Sequence, residues 1–587
     1  MFVNNIEMKI LVSLFEKPFR NQRMLADQVG YSLGMVNQGL RALNEAGYLD
    51  EQFQPTEEAR NEIKNLRPRN AVILAAGFGM RMVPINTEIP KGLLQVQGEC
   101  LIERTIKQLR EAGVQNICVV VGFLKEMYEY LIDEYDVELI VNPEYVAKNN
   151  LHSIKYALDY LDDCYVVPCD LWCEENPFKA LEPYSWYMVS DEVDDESTVR
   201  VNRKRELVTV SNDKSGNAMV GIAYIAQNDA AVIRQRVLEL VKDPHHDGDF
   251  WESALFEKDK MLIPARVMSA AEVVEINTYE QLRELDAQSN QLNTDAIQII
   301  QDAFHASADE IVNIRVLKKG MTNRSFLFEL RNKKYIMRIP GEGTDQLINR
   351  AEEASVYRAI ADENFSDRVI YMNPQNGYKI TEYMEGARNC DPLNEEDLVK
   401  CMAKVRQLHQ RKLKVAHEFD IFKKIDFYES LWNGQPSVYR DYTKTKARVL
   451  ELKQYIDQHA AEKVLTHIDA VPDNFLFAKN ADGTEELRLI DWEYAAMQDP
   501  HVDIAMFCIY ALYDREQVDH LINLYFEGNC PEDVRTKIYC YISACGLLWS
   551  NWCEYKRNLG VEFGEYSLRQ YRYAKDYYKL AKSRMEK

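Results

Sequence analysis

Strand-like and helix-like segments alternate between Asn70 and about Leu285, and this alternation restricts the fold of the 587-residue chain more than any other feature. Short apolar runs predict buried strands, and longer runs with a helical period predict helices. The predicted strands are Ala71 to Leu74, Ile117 to Val121 and Tyr165 to Pro168, and the predicted helices are Leu101 to Ala112 and Leu151 to Leu161. Repeated strand–helix units predict an α/β domain with a mainly parallel sheet, in which ligands bind at the carboxyl ends of the strands.

Two breaks divide the chain into three predicted domains, residues 1–67, 68–290 and 295–587. Arg67-Pro68-Arg69 interrupts the first helical pattern, and a polar stretch from Asp286 to Asp295 ends the alternating region. Strand-like runs follow this stretch, and the chain becomes largely helical after about Asn394. A small strand-rich lobe followed by a helical lobe predicts a bilobal α+β fold of the protein-kinase type.

The composition argues against a membrane protein. Hydrophobic residues make up 46% and charged residues 28% of the chain. No apolar run approaches the ~18–20 residues of a membrane helix. The amino-terminal sequence has no basic segment followed by a small-residue cleavage site, so we expect no signal peptide and a cytoplasmic location. The formal net charge of −22 disfavours nucleic acid and anionic membranes as partners of the whole molecule, and a local basic patch stays open.

Residues 1–67 predict a set of short helices. Met8 to Phe15 and Gln22 to Gly30 are apolar-periodic, Gly34 to Ala46 follows a short turn, and Thr56 caps a last helix. This pattern resembles a small winged helix-turn-helix domain with Gly34 to Ala46 as recognition helix, and the resemblance makes DNA a candidate partner. The acidic and basic residues nearly balance, so a docking or dimerisation domain is an equal alternative.

The segment after the first predicted strand, AAGFGMRMVPINTEIPKGLL, has the composition of an anion-binding loop. Gly77 and Gly79 permit a tight turn whose backbone N–H groups point at an anion. Arg81 and Lys91 add two cations, which suit a triphosphate and the charge that develops at its α-phosphorus. A G-x-G turn alone is a weak signal, whereas G-x-G-x-R followed by two prolines and Lys91 is a specific one.

From Asn70 to about Leu285 the chain resembles the sugar-phosphate and phosphocholine nucleotidylyltransferases. The resemblance implies a Rossmann-like domain in which Lys91 is the catalytic cation at the phosphates. The implied nucleotide-binding residues are Ala75, Ala76, Gly77, Gly79 and Arg81. Asp170, at the end of a strand, is the implied ligand of Mg²⁺, an ion that prefers oxygen ligands. The second metal-binding carboxylate of the family falls on Asn277, which offers only a neutral oxygen, and Glu275 is the alternative ligand.

Aromatic residues indicate the second substrate of this domain. Trp172, Trp186 and Trp251, with Glu252 beside the last, provide the aromatic faces and the carboxylate that suit a quaternary ammonium group. These tryptophans are similar in position to those of bacterial CTP:phosphocholine cytidylyltransferases, and a pattern of residues that bind sugar hydroxyls is not found. A single tryptophan is more often a core residue, so packing in the core is the competing interpretation.

The sequence HIDAVPDN places His467, Asp469 and Asn474 in an H-x-D-x-x-x-x-N arrangement, and Asp491 follows seventeen residues after Asn474. Phosphoryl transfer needs a carboxylate that orients the attacking hydroxyl, and oxygen ligands for the magnesium on the phosphates. Asp469 suits the first role, and Asn474 and Asp491 suit the second. This paired motif resembles the aminoglycoside-phosphotransferase and choline-kinase superfamily across about Val312 to Leu580.

That resemblance implies the nucleotide contacts of the kinase. Arg338 takes the place of the usual kinase lysine, Glu353 is its ion-pair partner, and Glu382 belongs to the hinge beside the adenine. The phosphate-covering turn places four further residues near ATP: Gly320, Thr322, Asn323 and Ser325.

The choline pocket is indicated by two tryptophans. Trp549 and Trp552 are three residues apart and therefore share one face of a predicted helix. Choline kinases have a similar W-x-x-W pair in their choline pocket, and the resemblance adds Tyr494 and Glu493 as further contacts. Packing of the pair in a core is the competing interpretation.

Together the resemblances imply a bifunctional enzyme that phosphorylates choline with ATP and transfers CMP from CTP to phosphocholine. The products are CDP-choline and pyrophosphate, Mg²⁺ is the expected cofactor, and the implied role is the decoration of surface polysaccharides with phosphocholine. Two alternatives stay open: a sugar or ethanolamine kinase and nucleotidylyltransferase pair, and a transcription regulator with enzyme-like sensor domains. The sequence leaves the oligomeric state open.

Overall fold

The computed structural model describes residues 5–87, 89–195, 197, 199–210, 215–317, 323–341, 347–479, 483–558, 561 and 563–586. The chain forms two compact units, which divide between Thr294 and Asp295. No helix within these ranges is both long and apolar enough to cross a membrane. The division falls in the polar stretch of the predicted linker, and the boundary near residue 67 stays a prediction.

Four helices and a short β-bridge begin the first unit. The helices are α1 (Asn5–Glu16), α2 (Gln22–Val29), α3 (Leu33–Glu45) and α4 (Glu57–Lys64). Asn21, Ser32 and Thr56 cap α2, α3 and α4 by accepting hydrogen bonds from backbone N–H groups of their first turns. Leu49 bridges Pro55 in antiparallel pairing, and the helices enclose a small apolar core. The winged helix-turn-helix assignment and its DNA partner stay predictions.

A mixed sheet forms the body of the first unit. The strands of this region are β1 (Asn70–Ala75), β2 (Gln95–Val96), β3 (Glu99–Cys100), β4 (Asn116–Val121), β5 (Glu138–Val141), β6 (Cys164–Pro168), β7 (Leu171–Cys173), β8 (Trp186–Asp194), β9 (Val199–Val201), β10 (Glu206–Thr209), β11 (Gly216–Ile225), β12 (Phe256–Glu257), β13 (Lys260–Met268) and β14 (Val273–Glu275). The large sheet has the order β5-β4-β1-β6-β11-β8-β13-β10-β9, with β12 beside β13. The four strands from β5 to β6 are parallel, and most pairings beyond them are antiparallel. The Rossmann-like α/β class is confirmed, and the parallel part is the half that carries the predicted nucleotide loop.

Helices cover both faces of this sheet. They are α5 (Leu101–Glu111), α6 (Tyr130–Tyr135), α7 (Leu151–Ile154), α8 (Gln227–Leu240) and α9 (Tyr279–Leu285). The prediction of one helix from Leu151 to Leu161 was wrong. Helix α7 ends at Ile154, and the chain continues in tighter 3₁₀ turns that have a non-helical backbone at Ala157. Leu151, Ile154 and Ala157 are buried at a spacing of three, which suits the three-residue repeat of a 3₁₀ helix.

The second unit begins with α10 (Asp295–Phe304) and a small antiparallel lobe. Its strands are β15 (Ile311–Val316), β16 (Asn323–Leu330), β17 (Lys333–Pro340), β18 (Val369–Met372) and β19 (Lys379–Glu382), in the order β15-β16-β17-β19-β18. Helix α11 (Arg350–Ile360) lies in the sequence between β17 and β18. Three neighbouring strands therefore place Ser325, Arg338 and Lys379 in one row across the sheet.

A helical lobe completes the second unit and confirms the kinase-like fold. Its helices are α12 (Glu395–Gln410), α13 (Ile421–Ser430), α14 (Tyr442–Gln458), α15 (Val502–Tyr510), α16 (Arg515–Tyr525), α17 (Glu532–Asn558) and α18 (Glu565–Met585). Short strands, β20 (Arg388–Asn389), β21 (Val464–Thr466), β22 (Phe475–Lys479), β23 (Glu485–Leu489) and β24 (Ala496–Gln498), carry the loops with the polar motifs. Helix α17 is buried along most of its length and holds both tryptophans of the W-x-x-W pair.

Candidate active sites

A cavity of about 460 Å³ lies at the carboxyl ends of β1 and β6 in the first unit. Ala76, Gly77, Gly79, Lys91 and Asp170 line it, as the sequence predicted for nucleotide and metal binding. Ala75, in contrast, is buried in β1, and the exposed Arg81 does not line the cavity.

The turn after β1 is held by its own residues. Gly79 has a left-handed backbone with φ of 59°, a conformation that glycine adopts without strain. The buried Asn86 donates hydrogen bonds to the carbonyl oxygens of Phe78 and Gly79 over 2.8 Å and 3.0 Å. Asn86 therefore helps to shape this turn.

Lys91, Asp170 and Asn277 form one polar cluster beside the cavity. The Lys91 ammonium contacts the Asp170 carboxylate and donates to Oδ1 of Asn277 over 2.7 Å. Arg81 donates to the same Asn277 oxygen over 2.9 Å. Partial burial and the neighbouring Asp170 carboxylate raise the pKa of Glu275. Asn277 thus accepts from two cations, and Oδ1 of Asp170 is buried without a hydrogen-bond partner among the described residues.

The three tryptophans predicted to surround phosphocholine do not form one cage. Successive residues of a strand point to opposite faces, and Trp186 of β8 packs in the cluster on one face while Tyr187 packs with Trp251 on the other. The Trp186 indole donates to Glu182 and lies 3.6 Å from the Arg266 guanidinium. None of the three lines the cavity, so the core interpretation applies to their packing.

Trp172 and Glu252 have separate surroundings. The Trp172 ring lies 4.3 Å from the Arg104 guanidinium, and its N–H donates to Glu174. Glu252 is half-buried, accepts a hydrogen bond of 3.0 Å from the Tyr187 hydroxyl, and has a buried Oε2 without a partner among the described residues. Burial raises the pKa of Glu252 to about 7. Glu252 is therefore a titratable group near neutral pH, outside the cavity lining.

Several lining residues of this cavity were not predicted from the sequence. Tyr145, Lys148 and Asp247 line it beside the Asn149-Asn150 pair. Lys148 pairs with Asp247 over 3.3 Å, which ties the segment before α7 to a loop about a hundred residues later in the chain. Contacts of such long sequence separation leave no local pattern, so only the folded chain reveals them.

The larger cavity of the second unit, about 940 Å³, collects most residues of the kinase prediction. Those that line it are Asn323, Ser325, Arg338, Asp469, Asn474, Asp491, Glu493, Tyr494, Trp549 and Trp552. Gly320 and Thr322 lie outside the described residues. The Glu382 side chain does not line the cavity and lies 3.8 Å from Arg368, whereas the preceding Thr381 faces the cavity.

The loop that carries Asp469 is fixed by a buried carboxylate. Asp503, at the start of α15, accepts hydrogen bonds from the N–H groups of His467 (3.1 Å) and Ile468 (2.7 Å). Ile468 has a left-handed backbone with φ of 69°, which is strained for a β-branched residue. The amide of Asn474 donates to Oδ2 of Asp469 over 2.9 Å. Burial, and next the charge of Asp491, raise the pKa of Asp469 to about 7, so this carboxyl is suited to take up a proton.

Arg338 and Glu353 form the predicted ion pair. The two guanidinium NH groups of Arg338 meet the two carboxylate oxygens of Glu353, one of them over 3.0 Å, and both side chains are buried. Arg338 also donates to the carbonyl of Gly377 over 2.9 Å, and Arg350 donates to Glu353 over 3.1 Å.

Aromatic rings form a box at the end of the cavity near Asp469. Trp549 lies edge-on to Tyr494 with ring centroids 6.0 Å apart, and 5.4 Å from Trp552. Trp552 in turn lies 5.1 Å from Phe563. Tyr510, Phe563 and Tyr566 complete the lining and were not predicted, because their segments have no recognisable motif. Glu493 and Asp473 add carboxyl groups, and burial followed by the charge of Asp491 raises the pKa of Glu493 to about 8.

Two family models match the chain. The model described as choline/ethanolamine kinase matches residues 314–542, and the model described as MobA-like NTP transferase domain matches residues 71–178. Each match contains most of the residues that line one of the two cavities, but Asp247 lies beyond the first match and Trp549 and Trp552 lie beyond the second.

The first unit is similar to known cytidylyltransferases. A 2-aminoethylphosphonate cytidylyltransferase of Lancefieldella rimae is 32% identical over 228 residues, which are 36% of this chain and 89% of that protein. A choline-phosphate cytidylyltransferase of Haemophilus influenzae is 28% identical over 217 residues, 36% of this chain and 93% of that protein.

The chain is also similar to a solved choline kinase. The crystal structure of the choline kinase LicA from Streptococcus pneumoniae is 28% identical in sequence, and the match covers 48% of this chain and 98% of that chain with a TM-score of 0.42.

Proposed function

We propose that this chain, which belongs to the cytidylyltransferase family through its first unit and carries a choline/ethanolamine kinase domain in its second, converts choline to CDP-choline. The kinase makes phosphocholine from choline and ATP. The cytidylyltransferase then joins phosphocholine to CMP from CTP and releases pyrophosphate. The product of one reaction is thus the substrate of the other, which gives a reason for both domains to share a chain.

The aromatic box beside Asp469 carries this proposal. A quaternary ammonium has no N–H group to donate, so its recognition depends on ring faces and on nearby negative charge. Tyr494, Trp549 and Trp552 supply the rings, and Asp473 and Glu493 supply carboxyl groups in the same cavity. A bound cation favours the ionised form of Glu493 and so lowers the raised pKa of that group. A sugar would need several hydrogen-bonding side chains there instead.

The kinase residues suit direct transfer of the γ-phosphoryl group to the choline hydroxyl. Asp469 accepts the hydroxyl proton while the new O–P bond forms and the bond to the bridging oxygen of ADP breaks. Asn474 holds the Asp469 carboxyl in place. The Arg338–Glu353 pair ties β17 to α11 and so fixes the part of the cavity wall that carries Arg338.

The cytidylyltransferase residues suit attack of a phosphate oxygen on the α-phosphorus of CTP. The backbone of the turn from Ala76 to Gly79 lines the cavity and can hold the triphosphate. Lys91 stabilises the charge that develops on the phosphorus as the bond to pyrophosphate breaks. Asn277 keeps Lys91 beside the cavity through its 2.7 Å contact.

Both sites have residues that fit Mg²⁺. In the first unit the buried Oδ1 of Asp170 has no hydrogen-bond partner among the described residues, as expected of an oxygen reserved for a metal ion. In the second unit Asp491 and the amide oxygen of Asn474 would hold the ion, because the Asn474 amide nitrogen is engaged with Asp469. Bound Mg²⁺ supplies neutralisation of phosphate charge at each site.

The proposal is tested by supplying choline, ATP, CTP and Mg²⁺ to the purified chain and following phosphocholine, CDP-choline and pyrophosphate by mass spectrometry. We expect Asp469→Asn to stop CDP-choline formation from choline but not from added phosphocholine. The Lys91→Met variant should form phosphocholine but not CDP-choline, so that phosphocholine accumulates. Asp457→Asn and Lys64→Met, at exposed positions, are the matched controls. Turnover of ethanolamine or sugars in place of choline would overturn the substrate assignment.

A second substrate for the transferase is 2-aminoethylphosphonate, which the Lancefieldella relative is named for. This compound already contains phosphorus, so it would bypass the kinase. Parallel assays with phosphocholine and 2-aminoethylphosphonate, compared by kcat/KM, decide between them, and the adjacent kinase leads us to expect phosphocholine as the better substrate.

A further inference from the structure

A buried lysine that no sequence motif indicated faces the kinase cavity. Lys379 lies on β19 directly opposite Arg338 of β17, and Arg338 lies opposite Ser325 of β16. All three residues line the cavity, and Lys379 is only 7% exposed. Neighbouring strands therefore present a hydroxyl, a guanidinium and an ammonium in one row on the cavity wall.

The placement of two cations opposite each other requires compensation. Like charges at directly opposed strand positions repel, and burial removes the solvent that would screen them. Burial, and next the charge of Arg338, lower the pKa of Lys379. A residue that served only to fill space here would be apolar, so the charge needs an explanation.

The two cations, Arg338 and Lys379, differ in the hydrogen-bond and ion-pair partners that the protein gives them. Arg338 directs its two NH₂ groups to Glu353 and to the carbonyl of Gly377, while its Nε–H is buried without a partner among the described residues. The Lys379 ammonium donates to the Tyr357 hydroxyl over 2.5 Å and lies 4.3 Å from that ring. No carboxylate of the described residues lies within 4.0 Å of it, and Asp367 and Asp491 act on it only from farther away. An ammonium has three N–H donors, so Lys379 retains hydrogen-bonding capacity inside the cavity.

We propose that Lys379 binds a phosphate oxygen of the nucleotide in the kinase site, beside Arg338, whose two NH₂ groups are engaged with Glu353 and Gly377. The ligand class is a nucleoside di- or triphosphate, recognised at its phosphates. This inference rests on the proposed kinase function for its biological meaning, but the binding itself is measured without choline.

The decisive experiment compares nucleotide binding by the full chain and by Lys379→Met. Isothermal titration calorimetry with ATP, inorganic tripolyphosphate and adenosine, each with Mg²⁺, separates phosphate from base recognition. We expect at least a tenfold loss of affinity for ATP and tripolyphosphate, and unchanged affinity for adenosine. Lys333→Met is the matched control, because Lys333 is an exposed lysine on neighbouring β17.

Two outcomes would overturn the inference. If Lys379→Met binds ATP as tightly as Lys333→Met does, Lys379 does not contact phosphate. If the variant loses ATP and adenosine affinity equally, Lys379 is only a structural residue. Lys379-dependent ATP binding without choline phosphorylation by the unaltered chain would support the inference and refute the proposed substrate.

A measurement on the unaltered chain guards against a variant that fails to fold. Acetylation of lysines by an activated ester, quantified by mass spectrometry, reports the accessibility of each amine. ATP and tripolyphosphate should protect Lys379 at least fivefold and adenosine should not, while Lys333 should react equally throughout. Equal labelling of Lys379 with and without ATP would contradict the proposal.

Discussion

Removal of Glu353 should destabilise the second unit strongly, because it leaves buried positive charge without its counterion. Glu353 is 1% exposed and accepts hydrogen bonds from Arg338, which is 5% exposed, and Arg350, which is 4% exposed. Removing one partner of a buried ion pair costs about 3–5 kcal/mol. Because a folded domain is stable by only about 5–15 kcal/mol, Glu353→Ala should lose a large fraction of that stability.

The expected shift can be stated as a denaturant midpoint. With a urea dependence of about 3 kcal/mol per molar, a loss of about 3 kcal/mol lowers the midpoint by about 1 M. Pulse proteolysis of the full chain in urea, with surviving fragments assigned by mass spectrometry, reports the two units separately. The first unit then serves as an internal reference whose midpoint should not move.

A double variant separates the ion pair from simple packing. Replacing Glu353 and one of its two cations, as in Glu353→Leu with Arg338→Met, should recover part of the loss, because the remaining cation, Arg350, still has the Glu493 carboxyl 3.6 Å away. Glu352→Ala, at an exposed position of the same helix, should change stability by less than about 0.5 kcal/mol. If Glu353→Ala shifts the midpoint no more than Glu352→Ala does, or if the double variant is the least stable, the reasoning is refuted.

Four further predictions concern single residues. Asp469→Asn should lower the kcat of choline phosphorylation by about 10²- to 10⁴-fold and leave CDP-choline formation from phosphocholine unchanged, as measured by product assays; an unaltered kcat would exclude Asp469 as the base. Trp549→Ala and Trp552→Ala should each raise the KM for choline, since a ring face contributes about 0.5–2 kcal/mol to cation binding, with the KM for ATP as control. Asp170→Asn should abolish cytidylyl transfer at every Mg²⁺ concentration while the kinase stays active, and rescue at high Mg²⁺ would count against its role. Burial lowers the pKa of His467 to about 4, against about 6.5 in the unfolded chain, so the unfolded state takes up the proton first. Stability of the second unit should therefore be full above about pH 6.5 and fall between pH 6.5 and 4, and His467→Gln should show a flatter dependence in urea titrations across that range.

Local motifs were the part of the sites that the sequence could predict. Asp469 and Asn474 are five residues apart on one loop, so their contact follows from the chain itself. The Trp549–Trp552 spacing likewise places both rings on one side of a helix, and the structure finds them 5.4 Å apart. Such short-range geometry depends on the local chain and not on the rest of the fold.

Long-range placement was the part that the sequence could not predict. Trp186 and Trp251 were assigned to one cage by their residue type, but the two-residue repeat of β8 directs Trp186 away from the face on which Trp251 packs. The sequence did not indicate Lys379, because a lysine in a short strand is usually exposed to solvent. Its burial and its position opposite Arg338 are evident only in the folded chain. Glu382 was predicted to lie beside the adenine, but its side chain lies near Arg368 and does not line the cavity.

The left-handed backbone of Ile468 has a consequence for which mutations this chain can tolerate. Glycine would relieve a strain of about 1–3 kcal/mol at that position, but it would also remove a fully buried side chain worth about 2–5 kcal/mol. Valine would keep some burial and all of the strain, and a polar residue with left-handed preference would be buried in an apolar core. Each of these replacements at position 468 thus either loses buried side chain, keeps the backbone strain or buries a polar group. A sequence library at this site should return few functional alternatives to isoleucine.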